Sequence, residues 1–284
     1  MNTKKSKLIV FGLQLVLAVF LSGCQKVFDY INQPGNGDAT SNICPVNTIN
    51  SDQASYVFNY NSRGDLESII TDKLNTGNPN VFFIYDNHHR TSQVLFSFTA
   101  TPSTPGLIWA WEKFGYNAAN QIVKDTTYGF GEIRNDGTIS PSFSFVSNAV
   151  LQYDGNDRVI ASKDSAWSNG SFINTDYYSY KYNGQGNLEY TARQYRSMQS
   201  WGEALYNDTF RLGTYDSKIH IRRTNKMWMF LDRNYSVNNP FNAVSYNSYK
   251  LPTLFDSRQY LQGLITLVPF LYGNVTVQYM CGNQ

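Results

Sequence analysis

Five times the chain writes a tyrosine, then Asn or Asp, then a short polar stretch, then in most copies an apolar residue. The copies are Tyr60-Asn61-Ser62-Arg63-Gly64, Tyr85-Asp86-Asn87-His88-His89, Tyr116-Asn117-Ala118-Ala119-Asn120, Tyr153-Asp154-Gly155-Asn156-Asp157 and Tyr182-Asn183-Gly184-Gln185-Gly186. A sixth, Tyr215-Asp216-Ser217-Lys218, is degenerate. Asn and Asp favour the first position of a type I turn, because the side chain can accept from the backbone N–H two residues on. The fifth position holds only Gly, His, Asn or Asp, residue types that tolerate positive φ. A type I turn followed by a left-handed residue makes a β-hairpin with a G1 bulge.

That turn fixes a register. Each tyrosine is expected opposite the residue six positions later, which is Leu66, Thr91, Ile122, Val159 or Leu188. All but Thr91 are apolar, as a same-face cross-strand pair requires. Two residues before each tyrosine stand Phe58, Phe83, Phe114, Leu151 and Tyr180, so that face is apolar again. The tyrosines read as buried-face anchors of successive hairpins joined by variable loops. The chain is expected to be all-β: a long antiparallel meander, either an open twisted sheet or a partly closed one. Aromatic residues at 15% and charged residues at only 15% fit a β-rich exported protein better than a cytosolic helical enzyme.

The block over about 56–222 resembles the YD-repeat, or RHS-like, β-hairpin family. It is similar also to Gram-negative lipoproteins built on such repeats. The carrying residues are Tyr153-Asp154-Gly155-Asn156-Asp157-Arg158-Val159 and Tyr182-Asn183-Gly184-Gln185-Gly186-Asn187-Leu188, against a pattern of Tyr-Asp-x-x-Gly-Arg-Leu. The Gly-Arg pair is never intact here. The resemblance implies architecture and carries no activity over.

The N-terminus points to an address. Lys4, Lys5 and Lys7 precede an apolar run from Leu8 to Phe20, which is short for a bilayer span. Leu21-Ser22-Gly23-Cys24 then resembles a bacterial lipobox, so residues 1–23 read as a lipoprotein signal peptide and Cys24 as the lipidated residue. Several acyl chains anchor a protein stably where one does not. Gln25 after the cysteine resembles the pattern that sorts to the outer membrane, facing the periplasm or the cell surface. Removing three lysines from a formal charge of +2 leaves −1, and no Lys/Arg stripe suggests nucleic acid. Residues 24–50, broken by Pro34, Gly35 and Gly37, read as a tether, and 51–284 as one all-β domain.

Cys44 and Cys281 remain, one near each end, in an oxidising compartment, and are expected to pair. The alternative is two unpaired buried thiols. After 222 the texture changes: residues 226–232 have room for one or two helical turns, and 259–268 and 273–281 read as two closing strands.

Chemistry is sparse. His88 and His89 fall in a turn, and no metal-ligand spacing, GxSxG elbow or phosphate loop occurs, so no catalytic residue, metal or cofactor is assigned. Asp86, Asp154 and Asp216 belong to turns. Glu112, beside Trp109 and Trp111, is the carboxylate least explained by structure. Trp109 and Trp111, two apart on one strand, are expected on one face, where they could stack on sugar rings. Three functions stay open: a structural or partner-interaction module of the envelope without catalysis, a glycan-binding module using Trp109, Trp111 and nearby tyrosines, and a carboxylate glycoside hydrolase.

Overall fold

The computed structural model describes residues 44–75, 77–199, 202–260, 267, 268, 271 and 273–281. Residues 1–43, which include the expected signal peptide, Cys24 and most of the expected tether, lie outside the described residues. The strands in chain order are β1 (Val46–Asn50), β2 (Ser55–Tyr60), β3 (Leu66–Thr71), β4 (Asn80–Tyr85) and β5 (Thr91–Ser97). Then come β6 (Gly106–Tyr116), β7 (Ile122–Ile133), β8 (Ile139–Tyr153), β9 (Val159–Ser168) and β10 (Ser171–Tyr182). The last are β11 (Leu188–Gln199), β12 (Gly202–Arg211), β13 (Ser245–Tyr246), β14 (Pro252–Asp256) and β15 (Asn274–Tyr279).

These strands form one 15-stranded antiparallel sheet. β1 to β12 lie in chain order, and β15, β14 and β13 follow on the other side of β1. The sheet is therefore a meander whose last strand returns beside its first. It does not close, and its edges among the described residues are β12 and β13. Cys44 and Cys281 form a disulfide just outside the β1–β15 pair, with Cα atoms 4.7 Å apart, and the Met280 amide donates to the Pro45 carbonyl at 2.9 Å.

The turn chemistry appears copy by copy. Tyr60 pairs with Leu66, Tyr85 with Thr91, Tyr116 with Ile122, Tyr153 with Val159 and Tyr182 with Leu188. The fifth residues all have positive φ: Gly64 83°, His89 60°, Asn120 59°, Asp157 57° and Gly186 81°. The Oδ1 atoms of Asn61, Asp86, Asn117, Asp154 and Asn183 each accept the amide two residues on, at 2.9 Å. One further copy has no counterpart in the sequence reading. Asn247 Oδ1 accepts from Tyr249 and Leu251, Lys250 has φ 63°, and Tyr246 pairs with Pro252. Lysine at the left-handed position and proline six residues on hide it.

The tyrosines also connect neighbouring hairpins. Leu66 opposes Tyr60, and its carbonyl accepts the Tyr85 hydroxyl at 2.7 Å. Thr91 opposes Tyr85 and accepts Tyr116 at 2.6 Å; Ile122 opposes Tyr116 and accepts Tyr153 at 2.7 Å. The rule extends through the closing strand: Tyr279 donates to Pro252, and Tyr60 donates to Val46, the partner of Tyr279. It resumes where Tyr215 donates to Leu188, the partner of Tyr182. Tyr182 departs from it, its hydroxyl accepting the Tyr235 amide at 3.4 Å. Burial pushes the Tyr85 and Tyr116 phenols up to about 12, so the donors stay protonated at neutral pH. Arginines reinforce the row at two steps. Arg90, paired with Asp86, lies 4.4 Å over the Tyr116 ring, and Arg158, paired with Asp154, lies 4.3 Å over Tyr182.

The face that carries these tyrosines, called here the inner face, is covered by the segment between β12 and β13. It contains a 3₁₀ turn, Ile221–Thr224, and a short helix, α1 (Lys226–Leu231). Asn225 caps α1, its Oδ1 accepting from Met227 at 2.8 Å. Trp228 is fully buried, with its ring centroid 6.1 Å from that of Phe58, and Phe230 meets Phe114 edge-on at 5.4 Å. Burying each such ring contributes roughly 2–3 kcal/mol. The cover also buries an ion pair, Arg222 with Asp232, which receives the Trp228 indole N–H as well.

Three expectations need correction. Residues 46–50 are β1, and Cys44, Val46 and Ile49 are buried, so the fold begins by Cys44 and not at 51. The partner strand of β15 is β14 at 252–256, not 259–268; residues 257–260 form a 3₁₀ turn, and 261–266 lie outside the described residues. Trp109 and Trp111 do not share a face. A bulge in β6 leaves Ile108 and Ala110 paired with neighbouring residues of β5, Ser97 and Phe96, so Trp109 is the extra residue. Trp109 packs with the inner-face core, and Trp111 with Phe82, Leu95 and Ile108 on the other face.

Candidate functional site

Beyond the cover, the inner face changes character. Asp125 in β7 pairs with Ala149 in β8, Ala149 with Asp164 in β9, and Asp164 with Asp176 in β10. Directly paired residues point to the same side of a sheet, so three carboxylates stand in one cross-strand row with an alanine between the first two. Phe114 pairs with Asp125 on its other side, and Glu112 lies two residues from Phe114 on the same face. Strand spacing places Asp164 and Asp176 on adjacent strands, and Asp125 and Asp164 roughly 10 Å apart across Ala149.

Each carboxylate has its own environment. Arg233, at the end of the cover, donates to Asp125 Oδ2 at 2.8 Å and lies 3.9 Å over the Phe230 ring. Asp176 is saturated: Arg193 Nε donates to Oδ1 at 2.6 Å and Asn174 Nδ2 to Oδ2 at 2.9 Å. Asp125 Oδ1 and Asp164 Oδ1 are buried and meet no donor at hydrogen-bond geometry, although the Ser162 hydroxyl lies close enough to Asp164 to oppose the rise in its pKa. Burial pushes the Glu112 carboxyl well up, the Asp125 charge adds to this, and Arg233 opposes it. Burial also raises Asp125 and Asp164, with Arg233 opposing in both. Tyr178 and Tyr180 form a wall, stacked at 6.2 Å and 19°, and Arg193 reaches over Tyr178 and Tyr195.

Asp176 and Asp125 are held by guanidiniums, so the row does not offer two free carboxyls poised as acid and nucleophile. Among the described residues, no group of three or more His, Cys, Asp and Glu could hold a metal ion. Of this cluster, sequence reading singled out Glu112 alone. The signal for the others was a charged residue at a core-facing position counted from the repeat tyrosine, as at Asp176, six residues before Tyr182.

The other sequence candidates sit elsewhere. Trp111 is 7% exposed, its Nε1 donates to Gln93 Oε1 at 2.8 Å, and its ring meets Tyr128 at 5.3 Å. Trp109 is half-buried on the opposite face, so the pair forms no joint platform. His88 and His89 lie in the Tyr85 turn.

A second feature is the edge strand β12. All ten of its residues pair with β11 without a bulge. The Leu212 amide donates to the Glu189 carbonyl, and antiparallel alternation then turns the amides of Leu205, Asn207 and Thr209 outward. β12 contains no proline and no lysine, and Leu205, Tyr206 and Phe210 are 61%, 52% and 48% exposed. Natural edges are usually shortened, bulged or guarded by such residues; β13, the opposite edge, has two residues. Comparison of the chain with protein-family models and with curated proteins finds no match.

Proposed function

We propose that the protein is a lipid-anchored module of the cell envelope that docks a partner protein by strand addition, without catalysis of its own. The observation that carries this reading is β12: ten residues, unbulged, with outward amides and apolar side chains on both faces. An extended partner segment laid along it gains main-chain hydrogen bonds from the amide row and specificity from side chains at alternate positions. The tyrosine row keeps the sheet in register, so the edge is presented preformed and little ordering cost falls on this side of the complex. The lipobox resemblance at Cys24 supplies the anchor, with Gln25 favouring the outer membrane. The repeat turns support kinship with YD-repeat lipoproteins.

Photocrosslinking in intact cells tests the reading. A benzophenone side chain at Leu205 is expected to trap one defined envelope protein, and the adduct is expected to vanish with Asn207→Pro. That substitution removes an outward donor and leaves the β11 ladder intact. The same probe at Val57, exposed but within the sheet, gives no such adduct. No adduct at Leu205, an adduct indifferent to Asn207→Pro, or an adduct of two copies of this chain would each refute partner docking.

A further inference from the structure

We infer, on the strand-addition reading above, that the segment received by β12 carries an arginine or lysine opposite Asp208, with an aromatic or large aliphatic residue two positions to either side. Backbone alternation sets which positions matter. The outward amides belong to Leu205, Asn207 and Thr209, so a segment added antiparallel, like the neighbouring strands, exchanges hydrogen bonds there. Tyr206, Asp208 and Phe210 then fall in non-hydrogen-bonded pairs, where facing Cα atoms stand roughly 4.5 Å apart and side chains approach more closely. All three lie on the inner face: Tyr206 pairs with Tyr195 and Asp208 with Arg193, which pair in turn with Asp176 and Tyr178. Tyr206 and Phe210 are exposed on either side of Asp208, roughly 14 Å apart along the strand, and offer apolar contact to the side chains that face them.

Charge complementarity selects the central residue. Asp208 is exposed and forms no ion pair among the described residues, because Arg193, its cross-strand neighbour, is committed to Asp176 at 2.6 Å. Arg211, near the end of the strand, lies 4.0 Å from Glu189 and 5.3 Å over the Tyr190 ring. The middle of the edge is therefore negative. Elsewhere the sheet fills the same arrangement with arginine. Arg90 pairs with Asp86 and lies over Tyr116, and Arg158 pairs with Asp154 and lies over Tyr182. Arg193 pairs with Asp176 and lies over Tyr178 and Tyr195. At β12 an aspartate and a neighbouring tyrosine recur, and the incoming segment supplies the cation. A guanidinium there meets a carboxylate and a ring face together. A second copy of this edge fits poorly: the antiparallel register that sets Tyr206 against Phe210 also sets Asp208 against Asp208.

Fluorescence anisotropy with the purified full chain tests the pattern. The probe is a labelled, threonine-rich peptide with a central arginine and a phenylalanine two places to either side. One counterpart has glutamate at the centre, and another has serine in place of both phenylalanines. The arginine peptide is expected to bind with a dissociation constant below about 1 mM, and each counterpart about tenfold more weakly. Asp208→Lys, at an exposed position, is expected to reverse the order of the arginine and glutamate peptides. Asn207→Pro is expected to abolish binding of both. Arginine and glutamate peptides that bind alike, an order that persists in Asp208→Lys, or no binding of the arginine peptide would each overturn the pattern. So would a serine counterpart that binds as tightly as the arginine peptide. Docking itself is decided by the adduct at Leu205. An adduct there together with any of these peptide results leaves strand addition standing and removes the pattern alone.

Discussion

The Tyr116 hydroxyl donates to the carbonyl of Thr91 at 2.6 Å, and Thr91 is the residue that opposes Tyr85 across the preceding hairpin. One side chain therefore ties two hairpins together, beside their strand ladder, the Arg90 contact with the Tyr116 ring and the Trp111–Gln93 hydrogen bond. Tyr116→Phe keeps the ring and leaves a half-buried carbonyl unmet, so it is expected to cost about 1 kcal/mol. Tyr182→Phe, where the hydroxyl only accepts a long contact from Tyr235, is expected to cost less than half as much. Urea denaturation of the two variants checks the contrast.

The left-handed turn residue makes a cleaner case. A Cβ at Gly64 meets nothing within 4 Å, yet φ is +83°. Gly64→Ala is expected to destabilise by about 1 kcal/mol from backbone conformation alone. Gly155 is equally open but has ordinary φ, and Gly155→Ala is expected to be neutral or slightly stabilising. Equal effects at the two positions, read by thermal melting, would contradict the turn assignment.

The disulfide joins residues 237 apart in sequence. In the chain-entropy model, closing so long a loop destabilises the unfolded state by about 5 kcal/mol, an upper figure in practice. Cys44→Ser with Cys281→Ser is expected to lower the denaturation midpoint. Hydrogen exchange is expected to rise first in β1 and β15, the strands the bridge pins.

His220 is fully buried under the cover, its Nδ1 accepting the Arg222 amide at 3.0 Å. Burial, with repulsion from Arg222 and Arg223, holds its pKa well below the ordinary value. The unfolded chain takes up that proton near pH 6.5, before the folded one does. Stability is therefore lost as pH falls below about 6.5, at up to about 1.4 kcal/mol per pH unit. Glu112 acts with opposite sign: its raised pKa favours the folded state toward acid pH. The difference between the natural chain and His220→Asn isolates the histidine. It is expected to be flat above pH 7 and to grow in the variant's favour toward pH 5.

The hairpins were legible because their causes are local: an Asx side chain reaching two residues on, and a position open only to residues that accept positive φ. The hydroxyl row was not, because each acceptor is a main-chain carbonyl of another hairpin and leaves no mark on residue type. The return of β15 beside β1 was foreshadowed only by the placing of Cys44 and Cys281. Trp109 was misplaced because a bulge breaks strict alternation, and alternation is what sequence reading counts. Bulges beside Tyr116 and Tyr153 also hid the alignment of Asp125 with Asp164. Cross-strand rows depend on register, and register passes through every bulge between them.

Strand addition at β12 is tested most directly by amide hydrogen exchange of the full chain, purified and in native membranes. Leu205, Asn207 and Thr209 are expected to exchange rapidly in the purified protein and to be protected in membranes, while Tyr206 and Asp208, whose amides face β11, change little. Equal exchange of the outward amides in both settings would contradict the account.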